Sequence, residues 1–320
     1  MKITKRIRDL HETERPNYIR LSDDVCSRLQ GLCDDRGWFL KHRVKELESF
    51  ALKLETGRVE HPNRLEDFFA CTIIVPTLVA VSDAEALVCT AYNLKERRPR
   101  ESERTHKSPS DFVFDDLRLY VARGDDETGK NADLADYVFE IQVKTILQYA
   151  WGVATHDLIY KSDSVSWPKE RVAFQVKAML EHAELAIAEV AMLAGAAAIA
   201  KTNQNAADLQ QIMTDLREIW TADRLPKDVK RLADTILGLL KACNLGVLQF
   251  KNLINDEVKR CGTLSLDLSP YSFSVQALAH AADVDFKKKL SGQKRLRVVV
   301  HEGIDLPDWM KADHAHIVRL

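Results

Sequence analysis

The sequence has little net charge, no cysteine pair at redox or metal spacing, no apolar leader and no internal repeat. Forty-six lysines and arginines stand against 48 acids, a formal charge of -2. That balance argues against indiscriminate nucleic-acid binding by the whole chain and leaves room for a local basic patch. The six cysteines, at 26, 33, 71, 89, 243 and 261, form no CxxC, so reduced core thiols in a cytoplasmic protein are expected. The opening MKITKRIRDLHETERPNY lacks the apolar core of a secretory leader. The most apolar window, AELAIAEVAMLAGAAAIA at 183–200, carries Glu184 and Glu189. It reads as a packed or interface helix rather than a membrane span. His280, His301, His314 and His316 are too scattered, or too near the end, to argue for a metal.

What is present is an ordinary globular composition: 320 residues, 46% hydrophobic and 29% charged, enough for one large or two ordinary domains. Apolar spacing reads 17–57 as a helix closed by Gly57. FFACTIIVP at 68–76 reads as a buried strand stopped by Pro76. SDAEALVCTAYNL opens with a Ser82/Glu85 capping box. KERRPRESERTHKSPSD at 95–111 is polar and basic and reads as an exposed loop. FVFDDLRLYV at 112–121 and VFEIQVKT from 138 read as two strands joined by a short polar turn, hence an antiparallel pair. A long helix is expected over 169–201. The expected class is α+β: a mixed sheet flanked by helices in residues 1–203, then a mostly helical region, 204–320, ending in a small helix and one strand.

The chemistry sits in VFEIQVKTILQYAWGVATHDLIYK, 138–161. Phe139, Ile141 and Val143 fall on one side of the strand; Glu140, Gln142 and Lys144 fall on the other. Upstream, HRVKELESFALKL holds Arg43, Lys45, Ser49 and Lys53. On a helix the i,i+4 spacing would put Lys45, Ser49 and Lys53 on one stripe, and cations with a hydroxyl suit a polyphosphate. Asp67, in NRLEDFFACTIIV, stands at the mouth of a buried strand. Two strand-borne carboxylates, Asp67 and Glu140, can hold Mg²⁺, which takes oxygen ligands and recruits substrate phosphates. Together these point to phosphoryl-type transfer.

RVKELESFALKL, RLEDFFACTIIV and FEIQVKTILQYAWGVATHDLIYK, over roughly residues 20–200, resemble the synthetase domain of the RelA/SpoT family, the (p)ppGpp synthetases. The resemblance implies a nucleotidyltransferase-like fold and the transfer of pyrophosphate from ATP to the 3′ hydroxyl of GDP or GTP, with AMP released. It places ATP on Arg43, Lys45, Ser49 and Lys53. It places Mg²⁺ on Asp67 and Glu140, with Glu140 also taking the proton of the attacking hydroxyl. The acceptor falls to Lys107, Phe114, Gln142, Lys144, His156, Tyr160 and Lys161. Homo-oligomerisation through the helix at 169–201 is a further implication, though core packing explains that helix equally well.

The sequence departs from the family at the acceptor. Where the family has Gly-Tyr-Arg-Ser, this chain reads KSPSDFVFDDLRLYV: Phe114 stands for the Tyr, Asp115 and Asp116 for Arg-Ser, and Arg118 for a His. Ala70 and Thr72 replace the usual Gly and Arg after the first acid. A Phe still offers a stacking face, but two acids repel a phosphate-bearing acceptor unless a metal or Lys107 compensates. The leading expectation is alarmone synthesis with an altered acceptor pocket. The alternatives are a toxin-like enzyme acting on the tRNA 3′ end or an adenine nucleotide, helped by the basic loop, and a non-catalytic nucleotide-binding module. The residues ahead of the match are too few for the family's metal hydrolase, so no hydrolysis is expected. Trp151 is expected to pack rather than to stack on substrate.

Overall fold

Gly37 takes φ +67, a conformation open to glycine and strained for other residues, and there the first helix turns into the first strand. A computed structural model of the chain describes residues 2–57, 59, 65–100, 117–124, 131–159, 166–265, 267–312 and 314–320, with backbone alone at 156–159. Helix α1 (Lys5–Asp34) runs through Pro16. Its end is closed by the Gly37 and Trp38 amides, which donate to the Asp34 and Cys33 carbonyls at 3.1 and 2.9 Å. Strand β1 (Phe39–Val44) and helix α2 (Leu47–Glu55) follow. The single helix expected over 17–57 is therefore wrong. Apolar residues at 29, 32, 40, 44 and 47 keep near-helical spacing by coincidence, while a strand intervenes.

The chain continues through β2 (Phe69–Val75), α3 (Val79–Ala91), β3 (Asn93–Arg98), β4 (Leu117–Ala122), β5 (Phe139–Thr145), α4 (Ile146–Ile159), α5 (Trp167–Ala188) and α6 (Val190–Ala194). The five strands make one mixed sheet in the order β1-β2-β5-β4-β3. The β2–β5 pair is parallel and the other pairs are antiparallel, including β4–β5, as expected. Two boundaries differ from expectation. Ser82 lies inside α3, not at its cap. Residues 93–98 are an edge strand, so Lys95, Arg97 and Arg98 belong to the sheet, and charge there protects an open edge.

One face of the sheet is apolar. Cys71, Ile73, Val75, Leu117, Leu119, Val121, Phe139, Ile141 and Val143 bury against Tyr18, Leu21, Val25, Leu29 and Cys33 of α1 and Ala84 and Val88 of α3. Each full burial of such an aliphatic or aromatic chain contributes about 1.5–3 kcal/mol. Tyr18 stacks on Phe68 at 4.5 Å, directly beneath the entry to β2. All six cysteines are free; Cys33, Cys71 and Cys243 are buried, but Cys89 and Cys261 are exposed rather than core thiols. No described helix is long and apolar enough to cross a membrane.

The chain divides into two compact units, 1–196 and 197–320. The second has α7 (Gln204–Ile219), α8 (Val229–Ala242), α9 (Leu248–Cys261), α10 (Pro270–His280), α11 (Phe286–Ser291), β6 (Val298–Val300), α12 (Asp308–Lys311) and β7 (Ile317–Arg319). Asn203, Asp228, Ser269 and Asp285 each accept a backbone N–H at a helix start, which satisfies donors the helix itself cannot. Ile212, Leu216, Ile236, Leu240, Phe250 and Phe273 form its core. The end holds two short strands, β6 and β7, paired in parallel, where one was expected.

Candidate active site

Strand alternation and register assemble a second, polar face on the sheet. One row across it reads Arg43, Ala70, Glu140, Tyr120, Glu96; the next reads Lys41, Thr72, Gln142, Arg118, Arg98. Directly paired residues point to the same side, so charges far apart in sequence meet here.

At one end, Asp67 precedes β2. Its Oδ2 accepts ion pairs from Lys45 Nζ at 3.2 Å and Lys53 Nζ at 3.4 Å. Lys45 is pinned just ahead of α2: its N–H donates to the Phe68 carbonyl at 2.7 Å and its carbonyl bonds His11 Nε2 at 2.9 Å. The expected helical stripe of Lys45, Ser49 and Lys53 is thus broken, because Lys45 lies outside the helix. The two ammonium groups converge on Asp67 all the same. Ser49 and Arg43 are solvent-exposed, on the first turn of α2 and on β1.

In the middle, Glu140 is 3% exposed. Its Oε2 accepts the Tyr120 hydroxyl at 3.1 Å and its Oε1 accepts the Gln142 amide. Tyr120 in turn accepts from Arg98 at 3.2 Å, and that guanidinium lies 4.3 Å above its ring. Arg98 is held by both Glu96 oxygens, at 2.9 and 2.7 Å. Burial, and then the Glu140 charge, push the Tyr120 phenol up to about 12, so it stays a proton donor to Glu140 at any ordinary pH. Sequence reading missed Tyr120, Arg98 and Glu96. The signal for Tyr120 was the alternation in LRLYV, which matters only once β4 is set against β5.

The residues fit a divalent cation in part. Among the described residues Asp67 Oδ1 is buried without a hydrogen-bond partner, and such an atom carries a desolvation cost unless a cation or proton donor meets it. The Glu140 carboxylate accepts from two neutral donors, Tyr120 and Gln142. Both carboxylates supply hard oxygen ligands of the kind Mg²⁺ takes. No group of three or more His, Cys, Asp or Glu could hold a metal among the described residues, so phosphates and water would supply the rest of the shell.

Beyond Glu140, Gln142 and Lys144 are half-buried on the same face. Thr145 and Gln148 then form a reciprocal capping box that starts α4: the Thr145 N–H donates to Gln148 Oε1 at 3.0 Å and the Gln148 N–H to Thr145 Oγ1 at 3.1 Å. The Thr145 hydroxyl donates to Glu184 of α5. Burial, then the nearby Glu181 charge, raise the Glu184 carboxyl to about 7. Trp151 packs on α5, donating to the Ala173 carbonyl at 3.0 Å beneath Lys177 Nζ at 4.3 Å, as expected of a packing residue. Lys107, Phe114, Asp115, Asp116, Tyr160 and Lys161 lie outside the described residues, as does the side chain of His156.

Residues 42–165 match the model of a region found in RelA/SpoT proteins. That stretch is similar to RelA/SpoT proteins. Every residue assigned above to ATP, Mg²⁺ or acceptor falls inside the matched RelA/SpoT stretch. Three solved structures of similar proteins have low identity. A GTP pyrophosphokinase family protein from Streptococcus pneumoniae is 18% identical, covers 57% of this chain and 92% of its own, at TM-score 0.46. Small alarmone synthetase 1 from Bacillus subtilis, bound to its product pppGpp, is 15% identical over 58% of this chain and 99% of its own, at 0.46. The same enzyme bound to AMPCPP gives 13%, 56%, 94% and 0.44. No curated protein matches the sequence.

Proposed function

We propose that the RelA/SpoT-like region transfers pyrophosphate from ATP to the 3′ hydroxyl of GDP or GTP and releases AMP. The observation that carries this is the Asp67 carboxylate: one oxygen gathers Lys45 and Lys53, and the other is buried with no partner among the described residues. It sits three residues before Ala70, the residue paired with Glu140.

In this reading Lys45 and Lys53 exchange part of their hold on Asp67 for the triphosphate of ATP, with Arg43 and Ser49 beside them. Ammonium groups on a polyphosphate neutralise charge as it shifts toward the leaving AMP. Mg²⁺, bound by Asp67 and Glu140, would screen the phosphates and draw charge from the β-phosphorus. Glu140 accepts the proton of the 3′ hydroxyl as the new O–Pβ bond forms and the bond between Pβ and the α-phosphate oxygen breaks. Tyr120 and Gln142 fix the Glu140 rotamer, so the base is set before substrate arrives. Gln142 and Lys144 line the acceptor side, with Lys107, Phe114, His156, Tyr160 and Lys161 as the remaining acceptor contacts.

The test supplies the protein with Mg²⁺ and ATP labelled at the β or γ phosphate, offering GDP, GTP, adenine nucleotides and bulk tRNA separately. AMP together with label on GDP or GTP is the expected result. Label on tRNA or an adenine nucleotide would reassign the acceptor, and no AMP with any acceptor would reduce the domain to a binding module.

A further inference from the structure

The second unit carries a run of charge that the first unit's chemistry does not use. Residues 286–301, FKKKLSGQKRLRVVVH, hold Lys287, Lys288, Lys289, Lys294, Arg295 and Arg297 and no acid. None of the six makes an ion pair among the described residues, whereas Lys251, Lys259, Arg260 and Lys311 of the same unit do. Five of the six are exposed and Lys289 is half-buried. Six cations within residues 287–297, flanked by Asp283, Asp285 and Glu302, leave a local excess of positive charge, an arrangement that an anionic partner relieves.

A shallow surface depression lined by His314, Ala315, Ile317 and Arg319 lies beside this run. The adjacency is built by bonds. His314 Nδ1 accepts the His316 N–H at 3.2 Å, so its neutral ring carries the proton on Nε2 and donates it to Ser291 Oγ, 3.2 Å away at the end of α11. His316 Nδ1 donates to the Leu296 carbonyl at 2.8 Å. Strand β7, which carries Ile317 and Arg319, pairs with β6 immediately after Arg297. Arg319 donates to the Met310 and Ala312 carbonyls at 2.6 and 2.7 Å, which plants its guanidinium at the rim. The depression is shallow and largely open to solvent, and imidazole and guanidinium planes are stacking surfaces for a base.

We propose that the unit 197–320 binds single-stranded polynucleotide, its phosphates tracking along Lys287 to Arg297 and one base resting on the His314–Arg319 depression. The apolar residues of 286–297 are turned inward: Phe286 and Leu290 are buried and Leu296 half-buried. An acidic protein partner would ordinarily need an apolar contact core within the patch, and a membrane surface would need an apolar anchor. A chain of phosphates needs neither. This inference is independent of the transfer reaction above.

The test is fluorescence anisotropy of the full chain with labelled single-stranded RNA and DNA of about 20 nucleotides across a salt series. Six phosphate contacts at about 0.7 each in log–log slope predict roughly 300-fold weaker binding between about 50 and 200 mM salt. Neutralising three exposed cations (Lys287→Gln, Lys288→Gln, Arg295→Gln) should reduce that dependence to roughly 20-fold. The charge-keeping variant Lys287→Arg with Lys288→Arg should bind like the parent, separating charge from folding. No binding at low salt, an unchanged salt slope in the triple variant, or equal competition by polyglutamate or anionic vesicles would each overturn the proposal. Preference for RNA over DNA, or none, identifies which polynucleotide the site takes.

Discussion

Tyr120 donates its hydroxyl to Glu140 across the β4–β5 pair at 3.1 Å, with Arg98 behind it at 3.2 Å. Glu140 is therefore a buried carboxylate in a fixed rotamer. Changing Tyr120 to Phe removes the donor and keeps the ring under Arg98. The expected outcome is a kcat lowered by about 10- to 100-fold with little change in KM for ATP, since positioned acid–base groups contribute about that much and more. Steady-state kinetics check it, and an ATP KM that rises in step with the loss of kcat would argue against a role through Glu140.

Glu140→Gln should abolish transfer. Because Glu140 is 3% exposed and accepts from two donors, the variant also turns an amide donor toward one of them. A loss of about 1–3 kcal/mol in stability is expected, read as a lower urea midpoint at unchanged slope. Full activity in this variant would falsify the catalytic assignment.

Lys53 is 44% exposed on its side chain and shares Asp67 with Lys45. Lys53→Ala should leave stability within about 0.5 kcal/mol and raise the ATP dissociation constant about tenfold, the scale of one charge-assisted contact. Calorimetric titration with a non-hydrolysable ATP analogue measures it.

Glu184, 5% exposed and raised from 4.5 to about 7, makes stability depend on pH. Between those values the unfolded chain has lost the proton and the folded chain retains it, so stability falls as pH rises from 4.5 to about 7 and then levels off. Glu184→Gln should flatten that slope and leave the variant more stable than the parent at pH 8. A melting series from pH 5 to 8 on both proteins decides it.

Gly37, at φ +67 with open space where a Cβ would go, should tolerate Ala at a cost of about 1 kcal/mol, all of it backbone strain. A loss of several kcal/mol would mean that an added Cβ clashes at the helix–strand turn, against the open space at Gly37.

The sheet was legible wherever apolar runs or strict alternation filled a strand, as in FFACTIIV and VFEIQVKT. The break between α1 and β1 was not read, although Gly37 marked it, because Leu40, Val44 and Leu47 continue a helix-like spacing on a strand. Asp67 and Glu140 stood out as acids at otherwise apolar strands. Tyr120 and Arg98 did not, since their meaning depends on which residue lies opposite, and register is a property of the pairing rather than of either strand. The Thr145–Gln148 box was legible in principle: a Thr followed three residues later by a Gln is the capping signature. The latch on Glu184 was not, because it joins residues 39 positions apart.

The parallel β2–β5 pairing has a consequence for the newborn chain. Cys71 and Glu140 touch across it although 69 positions separate them, so Asp67 leaves the ribosome long before its partner acid exists. Until Phe139–Thr145 emerges, β2 presents a bare, strongly apolar edge, and that is the interval in which the polypeptide is most prone to mispair. Synthesis and assembly of the site are thereby separated in time: a chain ending before β5 holds Asp67 without Glu140, and the two carboxylates share one sheet only after the chain has passed Thr145.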